Sequence, residues 1–518
     1  MSGLDGTYDV AIIGLGPVGG TLANILGGYG IKTVILERQP IAYHLPRAVS
    51  FDDEIMRVFQ SLGLADAMHK ISYVGEGVVF VDGSGAVLVT WPRPKVLSPN
   101  GWYVNYRFHQ PALEKVLGDG MARYDCVTTL VGSEVIGIDQ DENGVTLTYL
   151  GSGGGEAGAL RAAFVVGCDG ANSFTRAAIG SGIDDLGFNE SWVVVDLLLK
   201  KERQDLTQQS VHYCEPERSA TYVYIGGGRR RWEFRLQPGD DPVRITEAEN
   251  IWRLLERWIG PDEAALERAV VYTFRSLVAK EWRRGRVMIA GDAAHQTPPF
   301  MGQGMCSGIR DAYNLGWKLD RIVKGRASLE MLKTYQSERD PHIRAFIELT
   351  VQMGQVINTT ASALAAGNVA DLMDGRQKIS QLRPRLGPGL SAGGAAWAGH
   401  LFPQPRLSSG AMLDDRIGDR SALILKNGYR KLLPAEVQTE AAENGFMVIE
   451  DASPELQDWF ENNGQIAVML RPDRYILGSA TDEEDLKDNV RFWLNPVIQA
   501  QEINVDSAPE SGRNSQIR

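Results

Sequence analysis

The sequence predicts an α/β protein of several domains: a parallel-sheet domain at the amino terminus, an antiparallel sheet inserted into it, and a separate carboxyl-terminal domain. Three observations carry this. Residues 8–38 read as strand, glycine turn, helix, strand. Apolar and polar residues alternate at 76–104 and again from about 190 to 275. A Pro-, Gly- and Ser-rich stretch, RPRLGPGLSAGGAAWAGHLFPQPRLSSG, separates these from a last mixed segment. A chain of 518 residues is too long for one simple core.

The first element is justified by its apolar run. Val10, Ile12 and Ile13 suit a strand buried on both faces. Gly14, Gly16 and Gly19 come next in G-x-G-x-x-G spacing. They permit a tight turn, close approach of a diphosphate, and close helix–sheet packing. The next helix carries Val18, Leu22, Ile25, Leu26 and Tyr29 on one face, and its amino terminus attracts anions. The second strand, Thr33 to Leu36, ends at Glu37, 18 residues past Gly19, where a carboxylate can accept hydrogen bonds from a ribose. Strand, turn, helix, strand and acid together predict a Rossmann-like dinucleotide site. Gly153, Gly155 and Gly158 share the spacing, but they lie between two strand-like runs with no helix after them. They read as a hairpin loop, not a nucleotide site.

Bulk composition excludes other classes. Net charge is -12, against a nucleic-acid binder. The amino terminus, MSGLDGTYD, lacks a secretory pattern, and no apolar run reaches the length of a membrane span. The four cysteines, Cys126, Cys168, Cys214 and Cys306, form no C-x-x-C pair, which fits a reducing cytoplasm. The seven histidines show no metal-ligand spacing, so no metal is expected.

Further along, Arg47 directly precedes a helix that opens near Asp52; it clamps a phosphate or stands on the surface. Arg107 and Gln110 begin another helix, with Pro111 in its first turn. The buried run Phe164 to Val166 leads to Asp169, which sits where ligands bind in open α/β folds or caps the next helix. Between 190 and 275, alternation in Tyr222 and Tyr224 and in Trp232 and Phe234 predicts an antiparallel sheet with one covered face. Strand Val287 to Ala290 then runs into Gly291-Asp292, with Pro298, Pro299 and a second glycine turn at Gly302 and Gly304 beyond it. A helix near Ser307 would point its amino terminus at a flat, electron-poor ring.

The motifs GLGPVGG, GCDGANS and GDAAHQTPPFMGQG stand in this order. As a set they resemble the flavoprotein aromatic hydroxylases of the para-hydroxybenzoate hydroxylase fold, over residues 8 to about 345. PRAVSFDDE, RRWEFRLQPG and DAYNLGWKL resemble most the 3-(3-hydroxyphenyl)propionate and resorcinol hydroxylase branch. The resemblance implies a discontinuous FAD-binding domain (1–75, 105–188 and 276–345) and a substrate domain (76–104 and 189–275). A helical connector and linker (346–406), a thioredoxin-like domain (407–505) and a disordered tail (506–518) complete it. RPDRYI, Arg471 to Ile476, belongs to the thioredoxin-like part; with no cysteine beyond Cys306, dithiol chemistry is excluded there.

The resemblance also implies roles. Gly14, Gly16, Pro17, Val18, Gly19, Glu37 and Arg38 hold the ADP half of FAD. Arg47 and Gln110 contact its diphosphate or ribityl region, and Asp169 serves FAD and NAD(P)H. Asp292 binds the ribityl chain, and Gly304, Met305 and Cys306 face the flavin pyrimidine edge. The family often has Asn where Cys306 stands. Pro299 presents its carbonyl to the substrate hydroxyl. Arg231 positions substrate or flavin, or is a salt-bridged sheet arginine. Trp192, His212, Tyr222 and Tyr224 line the substrate pocket or are plain core.

The implied reaction hydroxylates a phenol beside its hydroxyl through a flavin C4a-hydroperoxide, consuming NADH or NADPH and molecular oxygen in a water-shielded cavity. Baeyer–Villiger or polyketide-tailoring oxygen insertion is the alternative, and a sensor with structural FAD a third. The partners implied are a small aromatic substrate and oxygen, with neither nucleic acid nor membrane. The sequence leaves the choice of phenol, the choice of nicotinamide cofactor and the oligomeric state open, a homodimer included.

Overall fold

The computed structural model describes residues 7–40, 47–152, 154–155, 157–215, 217–365, 383–390 and 396–494. The tail at 506–518 lies outside them, as do residues 366–382 and 391–395 of the connector. The chain divides into two compact units: residues 1–313 with 343–382, and 314–342 with 383–518. Residues 314–342, expected in the first domain, cluster instead with the carboxyl-terminal segment.

In the first unit, five strands pair in parallel in the order Val287–Ile289, Ala157–Gly167, Thr7–Ile13, Thr33–Glu37, Val127–Val131. Val10, Ala11, Ile12, Val34 and Ile35 are fully buried, as a strand covered on both faces requires. Register brings the strand ends into line. Ile13 stands opposite both Gly167 and Leu36, and Gly167 stands opposite Ile289. All four strands therefore stop at one edge. Their next residues, Gly14, Glu37, Cys168-Asp169 and Ala290-Gly291-Asp292, emerge together at the carboxyl ends, where open α/β sheets bind ligands. Val145–Leu150 and Ala157–Gly167 pair antiparallel, as a hairpin requires.

A second sheet of eight strands runs His295–Gln296, Ala264–Ala279, Ile183–Leu199, Arg229–Arg235, Ala220–Gly226, Ser210–Tyr213, Gly77–Val81, Val87–Pro92. It is antiparallel except where Ser210–Tyr213 lies parallel to Gly77–Val81. The inserted segments 76–104 and 189–275 thus share one sheet, which extends to Ile183 and to Gln296. One face packs on the helix Ala248–Leu255 through Val195, Tyr222, Trp232, Phe234, Ile251 and Leu255. The other face is polar and borders the site. A separate small sheet of Ser50–Phe51, Tyr106–Phe108 and Ser72–Val74 packs near the strand Ala220–Gly226.

In the second unit the order is strand Ser421–Leu425, helix Ala435–Glu443, strand Phe446–Glu450, helix Pro454–Asn462, strands Ala467–Leu470 and Ile476–Ala480, helix Glu483–Leu494. The first two strands pair parallel and the rest antiparallel. Four ionic groups are buried together here: Lys318 and Arg471 both reach Glu338, at 2.7 and 2.9 Å, and Arg471 also reaches Asp473 at 2.6 Å.

Candidate active site

The carboxyl edge of the parallel sheet and the polar face of the second sheet enclose one cavity of about 800 Å³. Gly14, Gly16, Pro17, Val18, Glu37 and Arg38 line one end. Gly14 has φ +101°, and a Cβ there would stand 2.5 Å from the Cys168 carbonyl oxygen. Gly16, by contrast, would meet nothing within 4 Å, so its neighbourhood is open to a ligand. Gly19 does not line the cavity; it packs on the Gly14 carbonyl. Glu37 accepts from Leu15 N and Gln39 N, both at 2.8 Å, which ties the second strand to the glycine turn and leaves carboxylate lone pairs for a ribose.

Arg47 and Gln110 also line the cavity, and Gln110 Oε1 accepts from the Arg47 and Ala48 amides at 2.7 and 2.9 Å. Asp169 stands at the strand end and at the start of the next helix. It lines the cavity, and it accepts from Ser173 Oγ and Thr175 N at the start of the helix Phe174–Ala178. Asp292 faces the cavity with no hydrogen-bond donor among the described residues. Burial raises its pKa, while Arg47 and His295 act in the opposite direction. Gly304 and Met305 line the cavity in the first turn of the helix Gln303–Val323, where backbone N–H groups lack helical partners. Cys306 shares that turn, but its buried thiol turns inward to donate to the Gly302 carbonyl at 3.4 Å. An unsatisfied carboxylate, an open glycine and free helix amides together fit FAD.

The other end of the cavity is built by strand register. His212 stands opposite Thr221, and Thr221 opposite Glu233. Two residues along, on the same face, Val223 stands opposite Arg231. With Ser210, all of these side chains line the cavity. His212 Nδ1 bonds Thr221 Oγ1 at 3.0 Å, and burial, with Arg107 nearby, pushes its pKa down to about 4. Arg231 is a salt-bridged sheet arginine, locked to Asp196 by Nε and Nη2 at 2.7 and 3.1 Å, and it also lines the cavity. Its Nη1 donates to the Arg47 carbonyl at 2.8 Å. Pro299, Phe300 and Met301 close the chamber.

Three of the residues expected in the pocket sit elsewhere. Tyr222 is even-numbered on a strand whose odd-numbered residues face the cavity; it lies in the core, its hydroxyl donating to the Thr207 carbonyl at 2.8 Å. Tyr224 is on that same face and lies under Arg230, 4.5 Å away. Trp192 is buried behind Phe300, 5.8 Å between centroids, and donates to Glu190. The sequence shows that one face is covered but not which. Thr221, Val223 and Glu233 were missed for that reason; Arg107, expected at a helix start, lies instead on the strand Tyr106–Phe108. Among the described residues no group of three or more His, Cys, Asp or Glu could hold a metal, and no helix is long and apolar enough to cross a membrane.

A family model described as an FAD binding domain matches residues 7–350. The chain belongs to this family. It is a flavin-dependent aromatic hydroxylase, with FAD as bound cofactor and NAD(P)H as reductant. The hydroxylase is 37% identical over 501 residues to the "Probable NADH-specific resorcinol 4-hydroxylase" of Rhodococcus jostii (strain RHA1), covering 92% of this chain and 93% of that one. It is 34% identical over 525 residues to a 3-(3-hydroxy-phenyl)propionate/3-hydroxycinnamic acid hydroxylase of Mycobacterium avium (strain 104), covering 92% and 90%. A model named the HcaD C-terminal domain matches residues 425–491. The fold of the hydroxylase matches that of the flavin-dependent monooxygenase PieE in complex with FAD and substrate, with TM-score 0.82, 21% identity, and 95% and 100% of the two chains covered. It also matches aklavinone-11 hydroxylase with FAD and aklavinone, at TM-score 0.78, 21% identity and 95% and 99% coverage.

Proposed function

We propose that this hydroxylase acts on a small phenol bearing a second polar substituent, adds oxygen beside the hydroxyl, and uses NADH. The observation that carries the reading is the single cavity joining the glycine turn and Asp292 to the polar sheet face. The substrates and reductant in the relatives' names support it. When bound, FAD supplies hydride acceptance and oxygen activation.

The protein's own groups do the rest. The turn at Gly14 to Gly16 and the helix behind it bind the diphosphate, Glu37 the ribose and Asp292 the ribityl hydroxyls. The Gly304 and Met305 amides orient the ring. Phe300, Met301 and Val223 keep the substrate end dry. The Pro299 carbonyl accepts from the substrate hydroxyl, and Arg231 acts by holding the Arg47 carbonyl. The strand and helix order of the carboxyl-terminal unit supports a thioredoxin-like arrangement without dithiol function. Free cysteines support a cytoplasmic protein.

The test is NADH oxidation by the yellow holoenzyme with and without resorcinol or 3-(3-hydroxyphenyl)propionate, with mass analysis of the product. Acceleration and one added ring hydroxyl are expected. A ring-expanded lactone, or no acceleration by any phenol, overturns the reading.

A further inference from the structure

Resting on that reading, we propose that Arg93 and Arg107 form an anion-binding subsite that takes a carboxylate on the phenolic substrate. Both side chains line the cavity. Arg107, on the strand Tyr106–Phe108, donates Nη2 to Ser210 Oγ at 2.8 Å. Arg93 lies over the Trp91 ring, 4.6 Å from its centroid. Among the described residues neither guanidinium has a carboxylate within ion-pair distance.

The nearby arginines differ. Arg231 and Arg268 both reach Asp196, and Arg310 reaches Asp52 and Glu54. Asp52 is therefore already engaged, and Asp53 accepts from Ser98 and Asn100. Glu233 faces the same cavity, but its ion-pair contact is with Arg231 Nη1 at 3.9 Å. Burial and the neighbouring Arg93 pull Arg107 down to about 10. Two cations thus converge on one cavity, and Glu233, Asp52 and Asp53, though near enough to act on them, form no ion pair with either. That arrangement is costly unless a ligand supplies the charge. A carboxylate fits the guanidinium fork. Trp91, Val78 and Val223 offer the apolar wall along which an arene would lie. Resorcinol, uncharged at neutral pH, leaves the pair unmatched, so the structure favours an aryl acid over it.

The experiment uses FAD-loaded full-length enzyme and reads ligand binding from the flavin absorbance. The probes are 3-phenylpropionate and its amide, neither of which carries a phenol to hydroxylate. The acid is expected to bind about tenfold or more tighter than the amide. Arg107→Gln and Arg93→Gln should each remove most of that difference while leaving amide binding within about twofold. Equal binding of acid and amide overturns the proposal. So does equal weakening of both probes in variants that keep their FAD. Should Arg107→Gln fail to fold, Arg93→Gln and the acid–amide ratio of the wild type decide. Failure of every phenol to stimulate NADH oxidation would sink the proposed function but not this result, because the probes are read without turnover.

Discussion

Arg231 and Asp196 form a two-point ion pair across adjacent strands, and both side chains are under 5% exposed. Asp196 also neutralises Arg268 at 3.3 Å, so one carboxylate serves two buried guanidiniums. Asp196→Asn should therefore cost more stability than Arg231→Met. The expected scale is about 3–5 kcal/mol for a pair broken from one side. Urea denaturation of the holoenzyme would measure it, and equal or negligible losses would contradict this account.

Gly16 and Gly19 separate ligand binding from folding. A Cβ on Gly19 would stand 2.0 Å from the Gly14 carbonyl oxygen, so Gly19→Ala should yield little folded protein. Gly16→Ala meets no protein atom and should fold with wild-type thermal stability as the apoprotein. Its FAD affinity should fall by about tenfold or more, because a methyl group occupies the approach to the diphosphate. Equilibrium dialysis of FAD against both variants tests the contrast.

His212 should make the protein sensitive to mild acid. Burial lowers its pKa to about 4, against 6.5 for an ordinary imidazole. Between those values the unfolded chain binds the extra proton, so stability rises with pH across the window and is lost as pH falls from 6.5 toward 4. The full effect is about 3 kcal/mol. Burial of Glu233 raises its pKa and tilts the profile the other way. The informative quantity is thus the wild type minus His212→Gln. A difference that does not shrink between pH 7 and 4.5 would refute the assignment.

In the carboxyl-terminal unit, Glu338 holds Lys318 and Arg471 together. Burial opposes its charge, but the two cations overcome this and lower its pKa to about 2. Its folded pKa lies below the usual 4.5, so its contribution is complete above 4.5 and disappears as pH falls toward 2. Glu338→Gln should cost about 3–5 kcal/mol at neutral pH and flatten the acid limb of the stability curve. Thermal melts from pH 7 to 3 would show it.

Much of the cofactor end was legible because it is local. The glycine turn, the helix behind it and Glu37 lie within one crossover, where spacing alone fixes geometry. Asp292 and Met305 were legible for the same reason, each standing beside a strand end or a helix start. They reach Gly14 through the parallel register that places Ile13, Gly167 and Ile289 side by side.

The other end of the cavity was not legible in this way. An alternating strand presents two faces, and the sequence named candidates on both: Tyr222 and Tyr224 on one, His212 and Arg231 on the other. Packing against the helix Ala248–Leu255 made the face of Tyr222 the core and turned Thr221, Val223, Arg231 and Glu233 toward the cavity. The chain alone determined the cofactor, the reaction class and the turns that serve them, since neighbouring residues write those signals. Only tertiary structure decided which side of each inserted strand faces the cavity. A period of two is the same read from either face until another element covers one of them.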